Sequence, residues 1–566
     1  MKKLQGFEQL IAIPELLKWL CISSVVGIVA GTASAALLTC LEWATKERET
    51  HLFLVALLPL GGLLSGWMYH RFGRSIEGGN NLILEEVHTP KDIIPLRMAV
   101  LVLIGTVLTH LFGGSAGREG TAIQMGASLA DQLTKLLRLG KADRRILLMA
   151  GMSGGFGSVF GIPISGTLFG LEVLSIGKFS YDAIFPCLIA SVVGNRVTLL
   201  WGIRHPLYHV PFVPDISIVG LLDAIIAGII CGIVAMFFAQ LTHQISHLFK
   251  NHISYAPIRP VIGGALIALI VWISGTTKYI GLGVPTIVDS FLTPQHPWDF
   301  AAKVGLTALT LGAGFKGGEV TPLFFIGATL GNAMSLFLGL PMPLLAGMGL
   351  AAVFAGAANT PLASTLMAFE LFGHQAGVYA GIACVVSYIF SGHAGIYSSQ
   401  RIGLSKYSTR PLEEGLTLAN HAKTKSRPNT DINIDLDNDL HFWGFLQAEE
   451  ENLMNNLTAL RFYFHHGTRL HRTGAWQKLT SPDLFTYIAN SAKAFGIEQV
   501  VLHRVSGGFL KGDPVTHDRG EIPHHKLPQC LELIDIEEKL RLFLDRHRAE
   551  LKDVRVVLLR CEEILL

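Results

Sequence analysis

The chain has 566 residues, 50% of them hydrophobic and 16% charged, and a mean hydropathy of +0.44. That balance excludes an ordinary soluble protein. A formal net charge of +2 without a basic patch gives no sign of a nucleic-acid partner, and seven scattered cysteines with no Cys-x-x-Cys pair support neither a disulfide framework nor a zinc site.

Residues 1–17 carry charges and a proline ahead of the first apolar run and lack a clean cleavage site. They read as an interfacial N-terminal helix leading into the first span, not as a removed signal. Uncharged runs then recur at Trp19–Leu41, His51–His70, Met98–Gly117, Ile146–Leu171 and Val261–Thr277, and Glu370 is the only charged residue between Val320 and Gln400. A hydrocarbon core of about 30 Å takes about 20 apolar residues to cross, so many crossings of a lipid bilayer are implied. Several runs are short or broken by Gly and Pro, which predicts re-entrant or discontinuous helices. Lys and Arg cluster near the N-terminus, in Lys135–Arg145 and after Arg401. This bias places all three, and both termini, on the cytoplasmic side of a multi-pass plasma-membrane protein.

The run Met98–Gly117 ends in Gly117-Arg118-Glu119-Gly120-Thr121. A carboxylate after such a segment is costly in hydrocarbon and usually faces a polar cavity or an ion path. The flanking glycines leave backbone amides open, as an anion site at a helix N-terminus requires. The bland alternative is a glutamate paired with Arg118 or capping a helix.

The membrane region repeats itself. Ala150-Gly151-Met152 precedes Pro163, with Glu172 nine residues further on, and Ala346-Gly347-Met348 precedes Pro361, with Glu370 nine further on. Upstream of each lies a Gly-rich segment with one glutamate, Glu119 in Gly117–Met125 and Glu319 in Gly312–Phe325. Two halves of about 18–200 and 216–404 with interrupted helices put a substrate site where the broken ends meet, near the midplane. Glu172 and Glu370 read as packing or capping acids, and His110 and His393 as hydrogen-bonded structure.

Residues 405–455 are polar and contain Pro411 and DINIDLDNDL, which reads as a linker. Residues 456–566 read as a small soluble domain. Strands are expected at Leu460–Phe464, Val500–Val505, Cys530–Ile534 and Val554–Leu559, with helices from Leu484 to Phe495 and over Leu540–Leu551. Gly507–His525 is a long polar loop, and Asp535-Ile536-Glu537-Glu538 is a capping box. The order β-α-β-β-α-β is a ferredoxin-like α+β pattern.

Four segments make the membrane part, roughly Leu17 to Lys406, resemble the CLC family of anion channels and anion/proton antiporters. They are Gly78-Gly79-Asn80-Asn81-Leu82-Ile83, Gly117–Thr121, Gly317-Gly318-Glu319-Val320-Thr321-Pro322 and Gly395-Ile396-Tyr397. The departures are mutually consistent: Asn80 replaces a serine, Thr121 a proline, and Glu319 enters the third segment. This combination is similar to the fluoride-exporting subclass. The resemblance implies an all-α polytopic domain with inverted repeats, acting as a homodimer that moves fluoride, and possible chloride, against protons, with no cofactor and no enzymatic activity. It implies Glu119 as the gating and proton-coupling residue and Glu319 as an acid of the pathway. The anion-binding set it implies is Asn80, Gly117, Arg118, Gly120, Val320, Thr321 and Tyr397. Val173 stands where chloride/proton members carry a second, proton-relaying glutamate, leaving the inward proton route open. The tail resembles PII-like regulatory domains, with Gly507 and Gly508 opening a ligand loop for a nucleotide or small metabolite; a trafficking or dimer-stabilising module is the alternative. Three other functional readings stay open: a chloride/proton exchanger, a passive anion channel regulated by the tail, and a metabolite sensor that transports little.

Overall fold

The computed structural model describes residues 8–407, 415–425, 457–465, 468, 483–495, 497, 499–503, 507–508, 516–517, 528–548, 551 and 554–560. The chain divides into two compact units, Met1–Pro428 and Asn429–Leu566.

The first unit is helical. Its first half contains α1 (Glu8–Thr50), α2 (Leu58–Phe72), α3 (Asn80–His88), α4 (Arg97–Leu111), α5 (Glu119–Leu136), α6 (Lys141–Phe160), α7 (Pro163–Glu172) and α8 (Ile184–Leu200). The second half contains α9 (Ile218–His252), α10 (Arg259–Ser274), α11 (Val284–Asp289), α12 (Asp299–Gly312), α13 (Val320–Met334), α14 (Met342–Ala358), α15 (Pro361–Phe372) and α16 (His374–Phe390). Among the described residues, 5 helical segments are long and apolar enough to cross a membrane. Others are too short to cross alone, such as α3 with 9 residues and α7 with 10.

Of the N-terminal helix expected over residues 1–17, residues 1–7 lie outside the described residues. The chain from Glu8 runs unbroken through Pro14 into α1. Pro14 sits near the start, where an imino nitrogen interrupts only the first turns of a 43-residue helix. The run Ile146–Leu171 is two helices rather than one span. Gly161, in the left-handed region at φ 83°, ends α6, and Pro163 starts α7. The second half repeats the device, with Asn359 at φ 57° ending α14 and Pro361 starting α15.

The centre is built from α6 and α14, whose residues Leu147–Phe160 and Leu344–Ala358 are all buried. Small residues let these backbones approach their neighbours. A Cβ on Gly126 would strike the Gly151 carbonyl, and one on Gly327 the Gly349 carbonyl. The two halves also cap each other. Glu172 accepts from the amides of Leu362 (3.0 Å) and Ala363 (2.8 Å) at the start of α15. Glu370 accepts from Ile164 (3.0 Å) and Ser165 (2.7 Å) at the start of α7. Each short helix thus ends in the acid that satisfies the other's orphan amides. Glu172→Ala is expected to cost about 1–3 kcal/mol because it uncovers the buried Ala363 amide, and Glu370→Ala less because the Ile164 amide it uncovers is exposed. Thermal unfolding of the two single variants and the double variant checks this, and full additivity would argue against a shared structure.

After α16 the chain folds back. Arg401–Ile402 (β2) pairs in parallel with Ser175–Ile176 (β1), and α17 (Leu418–Lys425) follows. Lys406 donates to the Tyr388 carbonyl and to Asn359 Oδ1, both at 2.6 Å. The linker expected from residue 405 is therefore corrected at its start, because these polar residues satisfy helix C-termini instead of solvent. Residues 408–414 and 426–456 of that stretch lie outside the described residues.

Among the described residues, the second unit forms a four-stranded antiparallel sheet with two helices. Its strands are β3 (Leu457–His465), β4 (Gln499–His503), β7 (Pro528–Ile536) and β8 (Arg555–Arg560), in the order β4-β7-β3-β8. One face carries Leu460, Phe462, Leu531 and Leu533 against Ile488 of α18 (Leu484–Phe495) and Phe543 of α19 (Glu537–Arg546). This is the ferredoxin-like arrangement. Two expectations are corrected. Within the polar loop, β5 (Gly507–Gly508) pairs with β6 (Thr516–His517). Asp535 belongs to β7, not to a capping box, and its carboxylate pairs with Lys539 at 2.7 Å.

On the other face Glu532 accepts from Arg461 (2.5 Å) and His503 (2.8 Å). Burial alone would raise the carboxyl's pKa, but these hydrogen bonds and charges hold it below the usual 4.5. A depressed carboxyl contributes stability that is complete above its unfolded pKa and lost as pH falls through the lowered one. Amide exchange of residues 499–503 in the full-length protein is expected to accelerate only below the ordinary carboxylate range. Glu532→Gln should remove that acid step.

Candidate functional site

Two glycine-rich segments from opposite halves meet in the middle of the first unit. Gly117 donates to the Gly318 carbonyl (2.6 Å), and Gly318 donates back to Gly117 (2.8 Å). The approach depends on missing side chains, since a Cβ on Gly318 would lie 2.7 Å from the Gly120 nitrogen. This bridge brings the amino ends of α5 and α13 together, so two sets of open amides converge.

Glu119 begins α5 and is 0% exposed. Its carboxylate does not stay on its own helix. Oε2 accepts from the Thr321 amide at 3.0 Å and from the Thr321 hydroxyl at 2.5 Å, at the start of α13. Arg118 adds its own amide at 3.3 Å and its Nε to Oε1 at 3.4 Å. The carboxylate thus pairs with Arg118 beside it and sits at the N-terminus of α13, whose open amide it accepts from.

The pseudo-equivalent Glu319 turns elsewhere. It lines a cavity of about 180 Å³ together with Asn80, Gln124, Tyr397, Glu77 and Lys316. Gly120 makes room for this group, because a Cβ there would lie 3.1 Å from Asn80 Nδ2 and 3.9 Å from Glu319 Oε2. The repeat is thus broken at these two glutamates. Thr321 serves Glu119, whereas the corresponding Thr121 shares a 2.8 Å hydrogen bond with Thr106.

Asn80 starts α3, whose far end is fixed by Arg144. That guanidinium donates to Glu86 on α3 (2.9 Å) and Asp131 on α5 (2.8 Å). Next to it, Asn81 Oδ1 accepts from the Ser399 amide at 3.0 Å, tying α3 to the segment that carries Tyr397. Tyr397 is 3% exposed, and neither its hydroxyl nor Asn80 Oδ1 has a partner among the described residues. Buried polar atoms are ordinarily paired, and leaving one unpaired costs about 1–3 kcal/mol. Both therefore suit a place that a polar species visits. Both glutamates, Glu319 and Glu119, lie within electrostatic reach of Tyr397. Behind it stand aromatic rings: Phe169 packs edge-on at 6.4 Å, and Phe156 stacks on Phe169 at 4.4 Å. These phenylalanines are core, not lipid-facing.

The predicted set thus gathers into one neighbourhood. Gly117, Arg118, Glu119, Gly120, Val320 and Thr321 form the crossing of the two helix ends, and Asn80, Glu319 and Tyr397 line the cavity beside it. His110 accepts its expected structural place, with its ring nitrogens on the carbonyls of Thr106 (2.8 Å) and Ala116 (3.1 Å). Gly507 and Gly508 belong to the other unit and pair with His517 and Thr516. Among the described residues no cluster of His, Cys, Asp or Glu fits a metal ion. Sequence reasoning missed Lys316 and Gln124. A signal for Lys316 existed: between Lys303 and Glu370 the only charged residues are Lys316 and Glu319.

The chain is similar to known proteins. A sequence profile described as "Voltage gated chloride channel" matches residues 61–392. The chain is 50% identical over 444 residues to a "Chloride/fluoride channel protein" of Pseudomonas syringae pv. tomato, covering 77% of this chain and 98% of that one. Among solved structures it is similar to a CLC-type fluoride/proton antiporter, at 36% identity and a TM-score of 0.66, over 68% of this chain and 98% of that one. A slow cyanobacterial Cl−/H+ antiporter, at 20% identity and a TM-score of 0.59 over 66% of this chain and 94% of that one, shares the fold.

Proposed function

The chain belongs to the CLC, or voltage-gated chloride channel, family, and from that premise we propose that it exchanges fluoride for protons across the plasma membrane, with Glu119 as the gate. The observation that carries this reading is the seat of the Glu119 carboxylate, held by the Thr321 amide and hydroxyl at the start of α13. A small anion would meet the same donors there. Protonation removes the charge that those donors attract, so the side chain leaves the seat and an anion takes it. One group that both competes with the anion and carries the proton couples the two flows.

Fluoride is the cargo favoured by the donor set. It is small and tightly hydrated, so removing its water requires several short, directed hydrogen bonds. Asn80 offers two amide donors where a serine offers one, and Tyr397 and Thr321 add hydroxyls. The names of the similar proteins, a chloride/fluoride channel protein and a fluoride/proton antiporter, agree with that cargo. Protons entering would drive fluoride out, through one pathway per subunit of a homodimer whose termini are cytoplasmic.

The test is efflux from proteoliposomes, fluoride against chloride, with proton movement recorded at the same time. Fluoride efflux that drives protons uphill is expected. A reversal potential indifferent to the proton gradient would make the protein a passive channel, and equal chloride-driven proton movement would make it a general halide exchanger.

A further inference from the structure

Lys316 has no part in the mechanism above, yet it stands in the cavity that leads to Asn80, Glu319 and Tyr397. Its place is built rather than incidental. Gly105 on α4 leaves room for its stem, because a Cβ there would come within 2.9 Å of Lys316 Cβ and 3.0 Å of its Cγ. Tyr69 on α2 holds the other end, with the ammonium 4.0 Å from the ring centroid. A ring face attracts a cation without neutralising it. Among the described residues no carboxylate lies within salt-bridge distance of Lys316; Glu77, on the cavity wall, and Lys250 act on it only at longer range.

A cation kept in an enclosed space without a bonded counter-ion is costly, and it persists where its charge is used. The cavity, at about 180 Å³, has room for several waters, each taking about 30 Å³ in the liquid. The ammonium can therefore stay hydrated and act on whatever enters. Tyr69, near the end of α2, lines the cavity, and next to it in the chain His70 meets Tyr255, just past the end of α9, edge-on at 5.4 Å. Arg71, Arg74, Lys250 and Arg259 all lie within five positions of His70 or Tyr255 in the chain, a bias that marks the cytoplasmic face.

We infer that Lys316 is the anion-recruiting residue of the cytoplasmic entrance: its ammonium, poised over Tyr69, draws small hard anions from the cytoplasm into the cavity and delivers them to the site at Asn80 and Tyr397. The inference rests on the transport reading above and assigns a role to a residue outside its gate. A fixed charge in a narrow, low-dielectric cleft raises the local concentration of the opposite ion. Saturable uptake from the cytoplasmic side should depend on it, and coupling to protons should not. Lys316 is thus a positioning residue for the anion, distinct from the carboxylate that exchanges it.

The experiment compares initial fluoride flux against fluoride concentration for the wild type, Lys316→Met, Lys316→Arg and Lys316→Cys in liposomes. Lys316→Met is expected to raise KM by about tenfold, to leave the proton-to-fluoride ratio intact, and to weaken the dependence of rate on ionic strength. Lys316→Arg should restore most of the wild-type KM. Alkylthiolation of Lys316→Cys, in a background with Cys21 and Cys40 replaced by serine, with a positively charged aminoethyl methanethiosulfonate should lower KM again, and the negatively charged sulfonatoethyl reagent should raise it further, with neither reagent changing KM in that background when Lys316 is retained. A merely structural lysine would respond alike to both reagents, and that result, or an unchanged KM in Lys316→Met, overturns the inference. The cysteine series keeps the test decisive if the methionine variant does not fold. Should the wild type move anions without protons, the exchange reading fails, but the charge dependence of KM still decides the role of Lys316.

Discussion

Glu119→Ala abolishes proton coupling: fluoride gradients applied across liposomes are expected to drive no proton movement above the leak, while fluoride itself still crosses. The expectation follows from what the carboxylate touches. It accepts from the Thr321 amide and hydroxyl and from Arg118, and hydrogen bonds to a charged group are worth about 1.5–3 kcal/mol each. Alanine frees those donors for an anion at all times, so the site no longer alternates between carboxylate and fluoride. Glu119→Gln should uncouple as well, because an amide of the same shape cannot carry a proton across. The two variants separate charge from shape: alanine opens the seat, and glutamine fills it with a neutral group. Simultaneous recording of fluoride and proton flux reads both, and undiminished proton pumping by Glu119→Ala would remove Glu119 from the mechanism.

Much of this site was legible in the sequence because its parts obey local rules. Glycines flanking a lone acid after an uncharged run announce open amides and a polar destination, and Glu119 and Glu319 both satisfy that pattern. The spacing from Pro163 to Glu172 and from Pro361 to Glu370 announced the repeat, and the structure turns it into reciprocal caps. What could not be read was direction. Residues Gly117–Thr121 and Gly317–Thr321 share Gly, Glu and Thr at matching positions, yet Glu119 reaches across to the other half's helix while Glu319 faces the cavity. That choice depends on which side chains lie opposite, and no local pattern encodes it. Lys316 escaped for a similar reason: its importance comes from Gly105 and Tyr69, which are more than 200 positions away in the chain and adjacent only after folding. At the chain's start, Pro14 suggested a boundary that a long helix simply absorbs.

The glycine bridge sets how far this arrangement can be disturbed. Gly318→Ala would place a methyl group 2.7 Å from the Gly120 nitrogen and 3.1 Å from its Cα. Both are backbone atoms, so no rotamer change can relieve the contact. Either the overpacking is tolerated at about 1–3 kcal/mol, or the two hydrogen bonds between Gly117 and Gly318 open and the amino ends of α5 and α13 separate. Separation costs no more than overpacking, because each neutral backbone bond contributes about 0.5–1.5 kcal/mol net and the two together about 1–3 kcal/mol. A shift of about 1 Å then carries Thr321 beyond hydrogen-bonding reach of Glu119, since such contacts weaken steeply past their normal lengths. Gly318→Ala is therefore expected to lower coupled fluoride turnover at least about tenfold, the equivalent of 1.4 kcal/mol at the transition state. Gly305→Ala on α12 is the control, for a Cβ there meets nothing within 4 Å, and it should transport as the wild type does. Comparable monodispersity of the two variants on size exclusion separates a local effect from unfolding. Wild-type coupling in a folded Gly318→Ala protein would mean that the gate does not depend on how closely the two helix ends meet.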